Sequence, residues 1–315
     1  MINLAAKDIK HTLGKFIVTA MGVGMLLGIV LIMIGVYRGM MVEAEILLDD
    51  ISADLWIVQE NTMGPFAESS RVHEDLKNII YVMQGVDKSE AMTFQNIQLP
   101  HREKPVRVVA VGYDIYGAIN PINKERLIKG RELKSDHYEI VVTDKTGFGL
   151  GEKIELGRNF YTVVGITHNT VSNGGDPLVY ISLKDAQELQ FLYSNKEIQN
   201  DEARGIENSE SYRVNAIVAT VKNGFDVDKV AHDIRKWQHK NVYTDKQQRD
   251  ILTKNLIEKS SKQIGLFTII LVIVSTIIIA LIIYTMTLEK MKEISIMKLM
   301  GLPNSLIISM IVKET

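Results

Sequence analysis

The sequence predicts a membrane α-helical protein that carries a large α+β domain outside the cytoplasm. Three observations predict it. One is a charge-free run from Phe16 to Tyr37, FIVTAMGVGMLLGIVLIMIGVY, bracketed by Lys15 and Arg38. Another is a charge-free run from Gln263 to Leu288, QIGLFTIILVIVSTIIIALIIYTMTL, bracketed by Lys262 and Glu289. The third is the long stretch between them, in which strand-like and helix-like patterns alternate. A hydrocarbon core about 30 Å thick needs about 20 apolar residues at 1.5 Å rise each, and both runs are long enough.

Whole-chain averages conceal this division. The 315 residues are 46% hydrophobic and 23% charged, and mean hydropathy is +0.05. The 36 basic and 38 acidic residues leave a net charge of −2. That balance excludes a strongly basic nucleic-acid binder and an acidic disordered chain. Cysteine is absent, which excludes disulfide frameworks, thiolate metal sites and cysteine nucleophiles together.

The first run is too long for the apolar region of a signal peptide, about 7–15 residues, and no small-residue cleavage site follows Tyr37. Lys7, Lys10 and Lys15 precede it, whereas Glu43, Glu45, Asp49 and Asp50 follow it. Basic residues favour the cytoplasmic side, so the N-terminus is placed there. Lys290, Lys292 and Lys298 place the far end of the second run on the same side. Lys254, Lys259 and Lys262 pull the other way, but they end a long loop, and long loops cross largely regardless of charge. Gly24 and Gly28 form a GxxxG in the first span, a pattern that lets helices pack closely. Neither run contains Asp, Glu, Lys, Arg or His, so no proton relay or ion path is built from them.

Past the first span, Met41, Val42, Ile46 and Leu47 recur near helical spacing, so the helix is predicted to continue beyond the bilayer. Residues 245–262 behave alike through Leu252 and Leu256. A helix from Asp245 to Leu288 would be about 65 Å long. The two extensions form either a stalk or two separate surface helices.

Two strand–helix–strand patterns follow. The first has a strand at Asp54–Gln59, a helix near Arg71–Met83 and a strand at Val106–Tyr113. The second has a strand at Arg213–Lys222, a helix near Asp226–Trp237 with Val227, Val230, Ala231 and Ile234 inward, and a strand at Asn241–Thr244. Two such halves suggest an α+β sandwich of the ferredoxin-like kind. Between them, Tyr138–Thr143, Lys153–Leu156, Phe160–Gly165 and Pro177–Ile181 read as strands of an inserted small β-subdomain, a barrel or a meander. Gly147–Gly151 reads as a hairpin turn, because GFGLGEK lacks the spacing of a phosphate loop. Residues 195–211 are polar and read as an exposed loop.

No catalytic or metal constellation emerges. The seven histidines are scattered. None sits in H-E-x-x-H, and none pairs with another at i+3 or i+4. His168, near Asp176, reads as a loop residue. No G-x-S-x-G elbow or Walker A motif occurs, and the pair Asp49–Asp50 falls at a helix end, where solvation is the default. Neither a cofactor nor an enzymatic activity is predicted, and ATP, if used, is hydrolysed by another chain.

The informative segment follows the second span: EKMKEISIMKLMGLPNSLIISMIVKET. Ile294, Met297 and Gly301 recur at helical spacing among Lys290, Lys292, Glu293 and Lys298, which predicts a short charged helix with a glycine stop. Such a helix, followed at once by a new apolar entry, could act as a lever between membrane helices. It could equally lie on anionic lipid, although Glu289 and Glu293 weaken that alternative.

This segment resembles an element of the MacB/FtsX-like ABC transporter permeases, which reads basic–x–basic–Glu–Ile–x–Ile–(Leu or Met)–basic–x–(Leu, Ile or Met)–Gly. Lys290 and Lys292 fill the first two basic places, and Glu293, Ile294, Ile296, Met297, Lys298, Met300 and Gly301 complete the match without a gap. NLAAKDIKHTLGKF resembles the amphipathic segment that leads into the family's first span. ADLWIVQ at Ala53–Gln59 is similar to the first outside strand of the DevC-like branch. Glu139–Ile166 and Pro177–Leu189 resemble the family's inserted β-subdomain.

The resemblance implies a division into six parts. Residues 1–15 are a cytoplasmic amphipathic segment and 16–37 the first span. Residues 38–262 form the extracytoplasmic domain with helical stalk ends, and 263–288 the second span. Residues 289–304 form a cytoplasmic coupling helix, and 305–315 begin a third span. It also implies a permease subunit of the bacterial inner membrane, without a pore of its own. A separate ABC ATPase would push on Lys290, Lys292, Glu293, Ile294, Ile296, Met297, Lys298 and Gly301, and the long helices would carry the motion outward. Implied partners are that ATPase, a second permease copy, membrane lipid, a periplasmic adaptor and an outer-membrane channel. Members of the family have four spans, so the sequence is expected to lack the last two. A two-span sensor with an outside ligand domain, and an FtsX-like regulator of a cell-wall hydrolase, are the alternatives.

Overall fold

A segment that enters hydrocarbon must satisfy its own backbone hydrogen bonds, and a helix does so. The structure is a computed structural model that describes residues 13–66, 68, 70–101, 105–192, 212–252, 254, 258–289, 291–299, 301 and 308. The first charge-free run lies inside one helix, α1 (Leu13–Ile51). There follow β1 (Leu55–Val58), β2 (Val72–His73), α2 (Leu76–Tyr81), β3 (Val86–Leu99) and β4 (Val106–Tyr113). Next come β5 (Leu127–Gly130), β6 (Glu139–Thr143), β7 (Lys153–Leu156), β8 (Asn159–Thr167) and β9 (Leu178–Ser182). α3 (Leu183–Leu192), β10 (Arg213–Val214), β11 (Ala216–Val221), α4 (Val227–Gln238) and β12 (Asn241–Thr244) complete the sheet region. The chain then runs through α5 (Asp245–Leu252), α6 (Glu258–Glu289) and α7 (Met291–Leu299).

The chain divides into two compact units, Met1–Arg38 with Ser260–Thr315, and Gly39–Lys259. In the first unit the helices present apolar side chains outward. Met21 is 71% exposed, and Leu31, Ile269 and Leu281 are comparable. A core helix of a soluble protein buries such residues, whereas a lipid-facing helix does not. The Thr268 hydroxyl approaches the Met33 sulfur at 3.9 Å. Ser275 and Thr276 donate their hydroxyls to the carbonyls of Leu271 and Val272, one turn back, so neither hydroxyl is left unpaired.

The second unit is built on a ten-stranded sheet in the order β12-β1-β11-β3-β4-β9-β6-β8-β5, with β7 paired to β8. At one end, β1, β3, β11 and β12 lie in the order β12-β1-β11-β3, every neighbour antiparallel. Both faces are covered, so β1 and β11 read as nearly continuous apolar runs. Leu55 and Ile57 of β1 turn to a core shared with Ile80 of α2 and with Val230, Ala231 and Ile234 of α4. Trp56 and Val58 turn to the other face, where they meet Leu47, Leu48 and Ile51 of α1 and Leu252 of α5. A third core lies toward the far end, where Ala186 and Leu189 of α3 cover Val108, Ile140, Val163 and Ile181.

Two expectations are corrected. The strand that follows α2 is β3, not Val106–Tyr113. β3 pairs β11 on one side and β4 on the other, and Val106–Tyr113 leads into the inserted region. The inserted strands form neither a meander nor a separate barrel among the described residues. β4 pairs in parallel with β9, from Val109↔Leu178 to Tyr113↔Ser182, and β6 pairs in parallel with β8, so one hydrogen-bond ladder continues through the insert. The helix drawn from Asp245 to Leu288 is described over α5 and α6, and 253 and 255–257 between them lie outside the described residues. Leu252 is buried in the sheet's core, which ties α5 to the domain rather than to a free stalk. The loop expected at 195–211 lies outside the described residues, as do 1–12 of the amphipathic segment.

Candidate functional site

The charged segment after the second span forms α7, nine residues from Met291 to Leu299. Gly301 ends it with φ +84, and its N–H donates to the Lys298 carbonyl at 3.1 Å. A side chain at that φ is strained, which is why glycine stops helices there. Met291 and Ile296 are each 56% exposed and Leu299 is 88% exposed. Lys298 is also exposed, and Lys292, Glu293, Ile294 and Met297 share the helix. Lys290 lies outside the described residues. Exposed large apolar residues interleaved with charge are what a docking helix carries.

Gly24 and Gly28 lie on α1 with open space beside them, since a Cβ added at either meets nothing within 4 Å. Close approach of another helix is therefore sterically free there.

The outer end of α1 is where the sequence reading was least accurate. Asp49 and Asp50 were expected to be solvated. Asp50 has a side chain only 1% exposed, and its Oδ1 accepts from Arg126 Nε at 3.0 Å and from Asn123 Nδ2 at 3.2 Å. Burial pushes its pKa up more strongly than Asn123 and Arg126 pull it down. Asp49 stays exposed, as expected, and pairs with Arg249 of α5, Oδ1 to Nη2, at 2.7 Å. Arg126 has no sequence signal that would connect it to α1; the 3-10 turn at Lys124–Arg126 carries it there.

Further charged groups lie elsewhere in the sheet unit, among them Lys77 beside Glu74, Glu90 and Asp114. His168 Nδ1 lies 2.6 Å from Asp144 Oδ2, whereas Asp176 pairs with Arg107 at 3.2 Å. His137 Nδ1 lies 2.8 Å from Asp185, whose carboxyl is fully buried and shifted up by that burial. Glu139 accepts from both terminal nitrogens of Arg131, at 2.9 and 2.6 Å. That fork, with two backbone N–H groups opposing burial, holds its pKa at about 2. Among the described residues, no group of three or more His, Asp or Glu is placed to hold a metal ion.

The family model described as the MacB-like periplasmic core domain matches residues 16–237. The chain belongs to this family. An uncharacterized ABC transporter permease of Mycobacterium tuberculosis is 21% identical over 305 residues, which span 96% of this chain and 77% of that one. A Staphylococcus epidermidis protein named for a hemin transport system permease, HrtB, is 23% identical over 315 residues, spanning 96% of this chain and 76% of that one. Among solved structures, the periplasmic region of MacB from Actinobacillus actinomycetemcomitans has a TM-score of 0.43 at 9% identity, covering 64% of this chain and 93% of that one. In this family, the apolar helices and the sheet unit are those of a membrane protein with an α+β domain outside the cytoplasm.

Proposed function

We propose that the chain is the permease subunit of an ABC exporter or mechanotransmission complex of the bacterial inner membrane. A separate ATPase supplies the energy, and the sheet domain outside the cytoplasm does the work. One observation carries this reading. α1 is a single helix of 39 residues, exposed and apolar at Met21 and Met25 yet buried at Leu47, Leu48 and Ile51. A continuous helix transmits displacement along its axis, because every residue is tied to the next turn by a hydrogen bond.

The remaining parts take roles within that frame. The N-terminus and α7 lie in the cytoplasm, and α7 receives the ATPase through Glu293, Lys298 and the exposed Ile296 and Leu299. Gly24 and Gly28 pack against another helix, in a complex with a second permease copy. We read β1–α2–β3 and β11–α4–β12 as ferredoxin-like halves, with β4 to α3 as the inserted subdomain. A periplasmic adaptor and an outer-membrane channel are the outside partners. The subunit itself performs no chemistry.

A pull-down tests the α7 assignment. The native chain retains an ABC ATPase, and Glu293→Arg loses most of it. Equal recovery from both counts against the assignment. Recovery of a cell-wall hydrolase or of a signalling protein, with no ATPase, overturns the permease reading itself.

A further inference from the structure

The sheet domain is joined to the two apolar helices through the outer end of α1 and through α5, which ends six residues before α6 begins. These two connections meet, and one side chain bridges them. Arg249 of α5 bonds three carboxylates at once. Its Nη2 lies 2.7 Å from Asp49 Oδ1 and its Nη1 lies 3.4 Å from Glu45 Oε2. Both acids are on α1, one turn apart. Its Nε lies 2.7 Å from Asp245 Oδ2, one turn back on α5 itself.

The chemistry of the junction is layered. On the inner side Leu252 packs with Leu47, Leu48 and Ile51 in the sheet's core. Apolar contact is non-directional, so it holds two helices together without fixing their register. On the outer side the guanidinium fork does fix register, because its donors are planar and rigidly spaced. Arg249 is 25% exposed, so its ion pairs are partly shielded from solvent. A lysine could not serve all three acids with one fixed geometry.

Resting on the permease reading above, we propose that Arg249 is a positioning residue that locks α5 to the outer end of α1. Displacement entering along either membrane connection then reaches the sheet as motion of one body. Without the lock the two connections slide on their apolar seam, and part of the stroke is lost before it reaches the outside domain.

The test uses the full chain in lipid nanodiscs. The protein has no cysteine, so a single added pair reports without background. Val42→Cys, 67% exposed on α1, and Lys246→Cys, exposed on α5, carry spin labels for a distance measurement. The native junction gives one narrow distance distribution. Arg249→Ala doubles its width at unchanged thermal midpoint. The pair Glu45→Gln with Asp49→Asn does the same while leaving Arg249 in place. The exchanged pair Arg249→Asp with Asp49→Arg narrows it again, which a loss of general stability would not produce. Raising salt to about 1 M, where the Debye length is ~3 Å, broadens the native distribution only. An unchanged width in Arg249→Ala overturns the proposal, since apolar packing alone would then fix the junction.

A second readout follows ATP-driven distance change between labels at Tyr116→Cys in two copies reconstituted with the ATPase. Arg249→Ala reduces that change at least by half, and the exchanged pair restores it. Full response in Arg249→Ala counts against the lock. No response in the native complex counts against the permease reading, and the lock is then decided by the distribution width.

Discussion

Leu48→Ala is the sharpest test of how α1 enters the domain. Leu48 is fully buried and packs in the core that also holds Trp56, Val58 and Tyr180. Truncation removes the transfer free energy of the missing atoms and leaves a cavity, which together cost about 3 kcal/mol at such sites. With a urea dependence of about 3 kcal/mol/M, the upper end for a small domain, the midpoint falls by about 1 M. The intrinsic reporter is favourable. The chain has two tryptophans, of which Trp56 is fully buried and Trp237 is 70% exposed. Trp56 also stands 5.4 Å, edge to face, from Phe66. In a Trp237→Phe background, fluorescence therefore follows the core alone. Val42→Ala, on the same helix but 67% exposed, is the control, and it shifts stability by no more than about 0.5 kcal/mol. If Leu48→Ala costs no more than Val42→Ala, the outer end of α1 is not embedded in the sheet domain, and the transmission argument fails.

Three further outcomes follow from the same geometry. Arg126→Met leaves the buried Asp50 carboxylate without its cation and lowers stability by about 3 kcal/mol; adding Asp50→Asn recovers part of the loss in the same denaturation assay. Glu139 has its folded pKa held at about 2, below the reference value of 4.5, so the unfolded chain binds more protons in that window and stability falls as pH drops through it. Acid titration of stability in Glu139→Gln is flatter over that range, whereas Asp50 and Asp185, whose pKa values are raised, contribute in the opposite sense. Gly28→Leu fills the open face of α1 and weakens self-association about tenfold, near 1.4 kcal/mol, in nanodisc energy transfer between labelled copies.

What was legible in the sequence was what local pattern decides. Freedom from charge marked both apolar runs, and α4 and β12 fell where apolar periodicity put them. The strand β3 was illegible for a physical reason. After Val86 it carries Asp87, Lys88, Ser89 and Glu90, and its polar residues are accommodated by distant partners. Glu90 is 9% exposed, accepting from the Ala118 N–H at 2.8 Å and lying 3.7 Å from Lys77. Burial of a charge with its partner cancels the alternation on which strand reading depends. Arg249 was missed likewise. Its bond to Asp245 is local, but Glu45 stands 204 residues away in the chain, and no spacing rule joins them. Asp50 reads as a solvated residue because its cation, Arg126, arrives only through the fold.

In the proposed mechanism the chain couples an ATPase on one side of the membrane to a domain on the other. A photo-crosslinking residue placed singly at Leu299 or at Tyr116, in intact cells, tests this coupling. Leu299 is 88% exposed on α7 and Tyr116 is 76% exposed on the sheet domain. Coupling of this kind gives an adduct with an ABC ATPase from position 299 and none from position 116. An ATPase adduct from position 116, or none from position 299, would contradict it.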